Sequence, residues 1–464
     1  MNLLCEPWIP TDRGPATPAQ ALTARSLAWP RPDFDSACYQ LLIGLLQTAI
    51  VRDPARCPDE STWARLRAGP PADLSDWFAP FNHAFELFGK TAFLQEYEGL
   101  AGDPVALSLL LPENPGENAQ KKSADLTRWV RAVPPSVSLP VAAMALYADA
   151  IFGVRWGRGH RQGARGENRW TTLVMPDREA AVWERVWLNV LSHRRWEALR
   201  GEEPWLDARV FPWLAPTMTS ENGQGVTPKD AHPCQIYWTM PRRIRLGEPE
   251  MGLCGVTGVR GPVVRSFTRA PNGANYEAWV HPLSPYVQKN DGTRVPLSIG
   301  RPHVGYDAWV GLALMEHRNL TPALVVQEYR ESRWSVGDAM LRVHCSGWMC
   351  GGEGTQAWVE QAVPFVVSGD RQALADLVVD LLEAADKASK RLHKAFKTAR
   401  LSAEANGLYA ETEGEFYRRL REREAEGWEG QLWGAARRVY DRAVERARVD
   451  PLRAAQGRAV LLSP

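Results

Sequence analysis

The chain has 464 residues, a length that favours one large domain with a smaller one over a single core. Apolar residues make up 45% and charged residues 23%, as in a soluble globular protein. The sequence contains no run of 18 or more apolar residues, so no membrane span is predicted. The net charge of +1 is low for a freestanding DNA-binding domain but is compatible with a local basic patch. The first ten residues show no secretory pattern, and the seven cysteines are scattered and odd in number, so we expect a cytoplasmic protein.

The first half of the chain alternates short extended segments with helices. Residues 41–50 (LLIGLLQTAI) are apolar enough for a buried helix, and residues 136–152 predict a second one. Between them, the composition of residues 112–122 predicts a polar loop. A further helix with apolar and tryptophan positions is expected over residues 182–191.

The residue pattern of the second half changes twice along the chain. Over residues 234–365, β-branched and aromatic residues separated by turn signals predict strands. After residue 366, apolar residues recur with helical spacing, first at Leu374, Leu377, Val378, Leu381, Leu382 and Ala385. Asp450 before Pro451 predicts an N-cap that opens a last short helix. We therefore predict an α+β fold, with a large mixed domain over residues 1–365 and a C-terminal four-helix bundle over residues 366–464.

The strongest local signal is the segment 153–170, which holds five glycines and five arginines against one glutamate. It lacks periodicity, so we expect a loop. Glycine allows a backbone to approach a ligand closely, and the arginine fork suits phosphates and base edges. The composition is typical of a loop on nucleic acid, although a solvated basic turn would look the same. The five arginines are Arg155, Arg158, Arg161, Arg165 and Arg169.

Motifs for catalysis are missing. The chain has no phosphate-binding P-loop, no dinucleotide fingerprint, no G-x-S-x-G elbow and no H-E-x-x-H. Cys345 and Cys350 lie too far apart for a closed zinc site, so we expect neither a metal nor a cofactor. His281 lies among proline and aromatic residues and is expected to be a structural hydrogen-bonding histidine. These observations favour a binding protein over an enzyme.

A second glycine-rich segment, residues 347–360, is predicted to join a strand-like run over residues 340–345 to the start of a helix. Its glycines again permit close backbone approach, and Gln356 offers both a donor and an acceptor to a base edge. An ordinary strand-to-helix turn explains the composition equally well.

Four segments together resemble the CasA family, the large subunit of the type I-E CRISPR surveillance complex (Cascade). Residues 1–10 (MNLLCEPWIP) resemble the start of that family, and residues 275–286 resemble its aromatic–H-P-x-S-P block. Residues 163–166 (GARG) with the threonine pair 171–172 resemble a third stretch. The fourth match is a W-x-E-x-x-x-P pattern formed by Trp358, Glu360 and Pro364.

The resemblance implies a subunit without an active site that checks the protospacer-adjacent motif (PAM) in double-stranded target DNA. It also implies a role in strand opening and R-loop formation, and in recruiting the effector nuclease–helicase for antiviral defence. The guide crRNA then reads the sequence itself by pairing. The expected partners are target DNA, crRNA, the nuclease–helicase and the backbone, small and handle-binding Cascade subunits, with no membrane.

The resemblance also assigns roles to residues. The family's glycine loop, which lies in the minor groove of the PAM duplex, corresponds here to Gly157, Arg158, Gly159, His160 and Arg161. The wedge that opens the first base pair falls on Gly352 by gap-free counting, and on Gln356 after a local shift, which we favour since glycine cannot act as a wedge.

Two further assignments follow from position. A basic finger that reaches the PAM corresponds to Arg269, with Arg265 behind it. A loop that contacts the guide-RNA end of the complex corresponds to residues 112–122, with Asn118, Gln120, Lys121 and Lys122.

Two other functions stay open on the residues alone. The loop 153–170 would also suit an enzyme acting on a phosphorylated substrate, although no nucleophile or metal motif accompanies it. A scaffold subunit would use the 20 tryptophans as contact surface for partners.

Overall fold

The computed structural model describes residues 1–112, 135–154, 156–199, 205–300, 305–314, 316–317, 319–331, 341–351, 354–365, 371–401 and 407–462. The chain forms two compact units, one of residues 1–302 with 319–364 and one of residues 303–318 with 365–464. The first unit mixes helices with several small sheets and the second is helical, so the predicted α+β class is confirmed.

The described residues include 14 α-helices, nine in the first unit and five in the second. The helices are α1 (Pro18–Leu22), α2 (Pro32–Arg52), α3 (Glu60–Leu66), α4 (Leu74–Phe78), α5 (Leu139–Phe152), α6 (Val182–Trp187), α7 (His193–Leu199), α8 (Asp207–Val210), α9 (Tyr306–Trp309), α10 (Leu324–Glu331), α11 (Arg371–Ala399), α12 (Gly407–Glu422), α13 (Trp428–Ala447) and α14 (Pro451–Leu462).

 Helices α9 and α11–α14 belong to the second unit and the remaining helices to the first.

The described strands form five small sheets. The strands are β1 (Ile9–Thr11), β2 (Gly14–Ala16), β3 (Val105–Ala106), β4 (Val137–Ser138), β5 (Thr171–Pro176), β6 (Arg243–Leu246), β7 (Glu250–Leu253), β8 (Arg260–Val264), β9 (Ser266–Ala270), β10 (Tyr286–Gln288), β11 (Arg294–Pro296), β12 (Leu320–Thr321), β13 (Leu341–Gly351) and β14 (Gly354–Phe365). Their order in the sheets is β1-β2, β11-β10-β12, β14-β13-β5, β3-β9-β6 and β4-β8-β7. Strand β5 pairs with β13 in antiparallel direction, as do the neighbouring strands of the other four sheets.

The helix predicted after the second glycine-rich segment is wrong, because residues 354–365 form strand β14. Val359, Val363 and Phe365 are buried, whereas Glu360 and Ala362 are exposed, which is an alternation with a period of two. A period of two with β-branched residues favours a strand with one covered face, and this pattern outweighs the helix signal assumed after the glycines.

The core of the first unit is built on α2, which packs against α5 and α6. By length and hydropathy α2 resembles a membrane span, but 94% of its most apolar window is buried inside the protein, as expected of a core helix. Tryptophan side chains use their polar edge inside this core: the Trp238 Nε1–H donates to Thr48 Oγ1 on α2 at 2.9 Å. The buried helix predicted around residues 41–50 is therefore confirmed.

In the second unit, α11 packs against α12, α13 and α14. The predicted apolar face of α11 is the buried one, including Leu374, Val378 and Leu381. The predicted N-cap of the last helix is confirmed, because Asp450 Oδ1 accepts the backbone N–H groups of Leu452 and Arg453 at 3.1 Å.

The segment after α5 is a loop whose two ends meet. The Gly153 N–H donates to Asp149 O at 2.8 Å and so ends the helix, and the Gly163 N–H donates to Gly153 O at 2.9 Å. A Cβ at Gly163 would lie 2.9 Å from Ile151 O, too close for any side chain. The loop is therefore closed at its base by direct backbone contact, which requires glycine there.

Arg165, just past this closure, is buried and ties three parts of the chain together. Its Nη2 donates to Gln40 Oε1 on α2 at 2.9 Å, and its Nη1 donates to Thr171 Oγ1 at 3.0 Å and Ser284 Oγ at 3.2 Å. Burial lowers the pKa of the Arg165 guanidinium to about 10. The expectation that Arg165 faces nucleic acid is thus wrong, because its donors are used inside the protein.

We expect Gly163→Ala to destabilise the first unit by about 1–3 kcal/mol, because a methyl group cannot be placed against Ile151 O without moving the loop base. The measurement is the thermal unfolding midpoint of the full chain. Gly300→Ala is the matched control, since a Cβ there meets nothing within 4 Å. Equal midpoints for the two variants would contradict a close-packed loop base.

Candidate nucleic-acid interface

The tip of the loop presents bare backbone to solvent. Residues 157–159 are exposed, and Gly157 and Gly159 have φ values of 120° and 82°, which L side chains rarely adopt. A Cβ at Gly157 would meet nothing within 4 Å, so the backbone there is uncovered on the protein side. The His160 N–H donates to Gly157 O at 3.3 Å and closes the tip as a turn.

One side of the tip rests on the turn that follows β9. The Asn272 N–H donates to Gly159 O at 2.8 Å, and the Ser220 N–H donates to Asn272 O at 3.1 Å. Arg161 Nε in turn donates to Ser220 Oγ at 3.0 Å, and a Cβ at Gly159 would lie 3.0 Å from Pro271 Cβ. The tip is held in place, and Arg161 is half-buried with one donor occupied by the protein.

Arg158 differs from the other arginines of the loop. Its side chain is exposed, and within the described residues it makes no hydrogen bond or ion pair with the protein. Arg169, by contrast, donates to Pro296 O at 2.8 Å and also bonds Ser298 Oγ, so it fixes the loop to β11. Arg155 lies outside the described residues. Among the described loop arginines, Arg158 is therefore the one best placed to meet a phosphate or a groove.

Next to the tip, the Trp156 ring lies within cation–π distance of two arginines. The Arg242 guanidinium lies 3.5 Å from the Trp156 ring centroid, and Arg269 lies 5.7 Å from it. Arg242 is buried and pairs with Asp149, whose Oδ2 is 3.0 Å from Arg242 Nε. Burial lowers the pKa of Arg242 to about 10, the Asp149 carboxylate opposes that change, and the charge of Arg269 adds to it.

The two basic-finger candidates are in different surroundings. Arg269 is close to the loop because it shares the Trp156 ring with Arg242. Arg265 forms an ion pair with Glu250 on β7, and the exposed fractions of the two side chains are 50% and 55%. The structure therefore brings Arg269 to the loop and places Arg265 in a surface pair.

An open cleft of about 1030 Å³ adjoins the tip, which contributes Gly157 and His160 to its wall. Its charged lining residues are Arg161, Arg165, Arg169, Glu277 and Arg294. The excess of guanidinium groups over the one carboxylate favours an anionic ligand, and Tyr276 and Trp279 add aromatic surface. The first unit thus has a cationic cleft directly beside the exposed glycine backbone.

The wedge candidates are only partly described. The backbone of Gln356 lies in β14, two residues before Trp358, and Trp358 packs on Phe152 at the loop base with ring centroids 5.3 Å apart. Gly352 lies outside the described residues. So do Asn118, Gln120, Lys121 and Lys122, the residues expected at the guide-RNA end of the complex.

His281 is structural, as predicted. Its ring Nδ1 accepts a hydrogen bond from the Leu283 N–H at 3.1 Å, and its backbone N–H donates to Tyr286 Oη at 2.7 Å. Burial, together with the nearby Arg165 charge, lowers the pKa of His281 well below its usual value, so the ring stays neutral. The block 275–286 therefore supports the loop base through Ser284 and His281 and has no need of a catalytic role.

Sequence reasoning missed Trp156, Arg242 and Asn272, whose roles depend on partners distant in the chain. Trp156 was visible inside the glycine–arginine segment, but a tryptophan beside arginines has no fixed meaning without knowledge of which guanidinium it meets. No local pattern marks Asn272 beyond the turn signal Pro271-Asn272-Gly273.

One family model and several solved structures match nearly the whole chain. The family model of CRISPR-associated protein Cse1 matches residues 2–447. CasA (Cse1) of Thermus thermophilus is 19% identical, with a TM-score of 0.70 over 99% of this chain and 98% of that chain. Cse1 of Acidimicrobium ferrooxidans is also 19% identical, with a TM-score of 0.64 over 99% and 96%.

A chain from a CRISPR RNA-guided surveillance complex is 16% identical, with a TM-score of 0.73 over 100% of this chain and 99% of that chain. No curated protein sequence gives a significant match. At these identities the structures establish the fold, and the family model covers nearly the whole sequence. The chain therefore belongs to the CRISPR-associated protein Cse1 family.

Proposed function

We propose that this Cse1 chain reads the PAM in double-stranded target DNA and starts strand separation there. The Cse1 family supplies the non-catalytic large subunit of the type I-E Cascade surveillance complex, which acts on target DNA. The observation that carries the proposal for this chain is the exposed tip at residues 157–159, held rigidly against the turn after β9 and close to Arg269.

The tip suits the minor groove for physical reasons. That groove is narrow, so a backbone without side chains enters more readily than one with them, and its donor and acceptor pattern is degenerate. Backbone contact at Gly157 and Gly159 would therefore give tolerant reading of a short flank. Arg158 adds a charge that favours narrow, strongly negative grooves. Arg269 is the proposed basic finger, with Arg265 in a secondary place because Glu250 already pairs with it.

The remaining partners follow from membership in such a complex. They are crRNA, the backbone, small and handle-binding subunits, and the effector nuclease–helicase that degrades the target in antiviral defence, all in the cytoplasm. We assign the guide-RNA contact to Asn118, Gln120, Lys121 and Lys122, and the wedge to Gln356 in preference to Gly352. We also propose that residues 1–365 and 366–464 act as separate functional domains, with the DNA-reading loops on the first.

Two other functions are disfavoured by particular contacts. A phosphate-handling enzyme would need the loop arginines aimed at a substrate, but Arg165 and Arg169 bind protein groups. A scaffold that only joins partners would not need an exposed loop tip, with glycines at positive φ, beside a cationic cleft. Neither alternative explains why the tip is both fixed and uncovered.

We expect a reconstituted complex that contains this chain to discriminate between duplexes differing only in the flanking trinucleotide, and the complex without it to lose that discrimination. The measurement is the dissociation constant for each duplex at fixed salt, since phosphate contacts make affinity salt-dependent. If both complexes bind every flank alike, the chain is not the PAM reader and the scaffold function replaces it.

We expect the double change Arg158→Gln with Arg161→Gln to weaken binding of all target duplexes and to reduce the slope of log affinity against log salt by about 1–2, about one for each lost phosphate contact. Arg13→Gln removes an exposed arginine from the turn between β1 and β2 and is the control. Unchanged affinity and slope at low salt would exclude the loop arginines from the interface.

We expect Gln356→Ala to slow R-loop opening more than it weakens duplex capture, because a wedge acts after the duplex has bound. Opening is followed by permanganate reactivity of the displaced thymines and capture by the dissociation constant of a non-opening duplex. Gln224→Ala, in an exposed loop, is the matched control. Equal effects of Gln356→Ala on both steps would point to Gly352 or another residue as the wedge.

A further inference from the structure

We propose that Trp156 is a positioning residue that holds the Arg269 guanidinium beside the glycine tip. The inference rests on the proposed function, because it concerns how the basic finger is oriented toward DNA. Trp156 directly precedes Gly157, and its ring is within cation–π distance of both Arg242 and Arg269. Its ring connects the start of the tip with Phe267 and Arg269 on β9.

The ring itself is fixed from behind. Trp156 is only 8% exposed, and it packs on Phe267 of β9 with ring centroids 5.6 Å apart. Arg242 covers the ring at 3.5 Å from the centroid and is held by Asp149, with a further bond to Val154 O at the root of the loop. The indole therefore has little freedom to rotate. A guanidinium group in contact with it is restricted in position for the same reason.

The ring also offsets an electrostatic repulsion between Arg269 and Arg242. It is half-buried on β9, and its charge is close enough to Arg242 to disfavour the charged form of that buried guanidinium. Two like charges near each other repel. The negative face of an indole attracts each of them and so offsets part of their repulsion.

Arg158 and Arg269 would therefore have different roles in binding DNA. Exposed Arg158 would supply affinity for any duplex, whereas Arg269 would supply discrimination only while its orientation relative to the tip is fixed. A flexible basic side chain still attracts phosphates, but it reads a groove less selectively because several orientations compete. Loss of the ring should therefore reduce discrimination between flanks more than overall affinity.

The test compares Trp156→Leu, Trp156→Phe and Trp63→Leu in the full chain within the reconstituted complex. Trp63 is also buried, at 3% exposure, with its Nε1–H on Val190 O at 2.9 Å, and it controls for general destabilisation. The readouts are the ratio of dissociation constants for matched and mismatched flanks, and the thermal unfolding midpoint.

We expect Trp156→Leu to lower the discrimination ratio about five- to tenfold, as for loss of one partly buried cation–π contact. Trp156→Phe, which keeps an aromatic face, should retain most of the ratio, and Trp63→Leu should retain it despite a lowered midpoint. If Trp156→Leu keeps the wild-type ratio while Arg269→Ala loses it, the positioning role is wrong and the PAM-reading function stands.

A double variant completes the test. Combined with Arg269→Ala, the change Trp156→Leu should lower the ratio no further, because a positioning residue acts only through the residue it positions. Independent losses that multiply in the double variant would overturn the inference. A wild-type complex that does not discriminate between flanks would overturn the proposed function and this inference with it.

Discussion

The interface depends on a buried positive charge that must be satisfied. Arg165 is buried, and its guanidinium donates hydrogen bonds to the side-chain oxygens of Gln40, Thr171 and Ser284 in place of water. Leaving one such buried partner unpaired costs about 1–3 kcal/mol, so the three acceptors hold α2, β5 and the block 275–286 in register. Two of the segments that resemble the CasA family, residues 163–166 with 171–172 and residues 275–286, therefore meet at this junction, and the loop begins there.

The glycines of the loop serve two separate purposes. At the base, Gly153 and Gly163 are required by contact, since a Cβ at Gly163 would lie 2.9 Å from Ile151 O. At the tip, Gly157 is required by its φ of 120°, while the space around its missing Cβ is empty. A tight base and an uncovered tip together give a backbone that is fixed without being buried, which is what close approach to a narrow groove requires.

Local patterns were enough to predict part of this architecture. The spacing of Leu374, Val378 and Leu381 predicted the buried face of α11, and Asp450 predicted the last N-cap, because both signals lie within a few residues. The role of Arg165 and the pairing of Trp156 with Arg242 depend on residues far away in the chain, so composition assigned Arg165 wrongly to the nucleic acid. Strand β14 lies within the range 234–365 that was predicted as strands, but the glycine-rich segment before it was wrongly interpreted as leading into a helix.

Charge distribution explains how a chain with a net charge of +1 could present a surface for DNA. Many arginines outside the loop are matched by carboxylates, as in the pairs Arg265–Glu250 and Arg418–Glu415. Arg158 forms no ion pair with the described residues, and four arginines line the cleft against one glutamate, so positive charge is concentrated at the candidate interface. Salt screening limits the range of this electrostatic attraction to about 8 Å at physiological ionic strength. The charge therefore acts only on a duplex that is already close. A weak, short-range reader is consistent with a subunit whose complex, through its guide, supplies most of the binding energy.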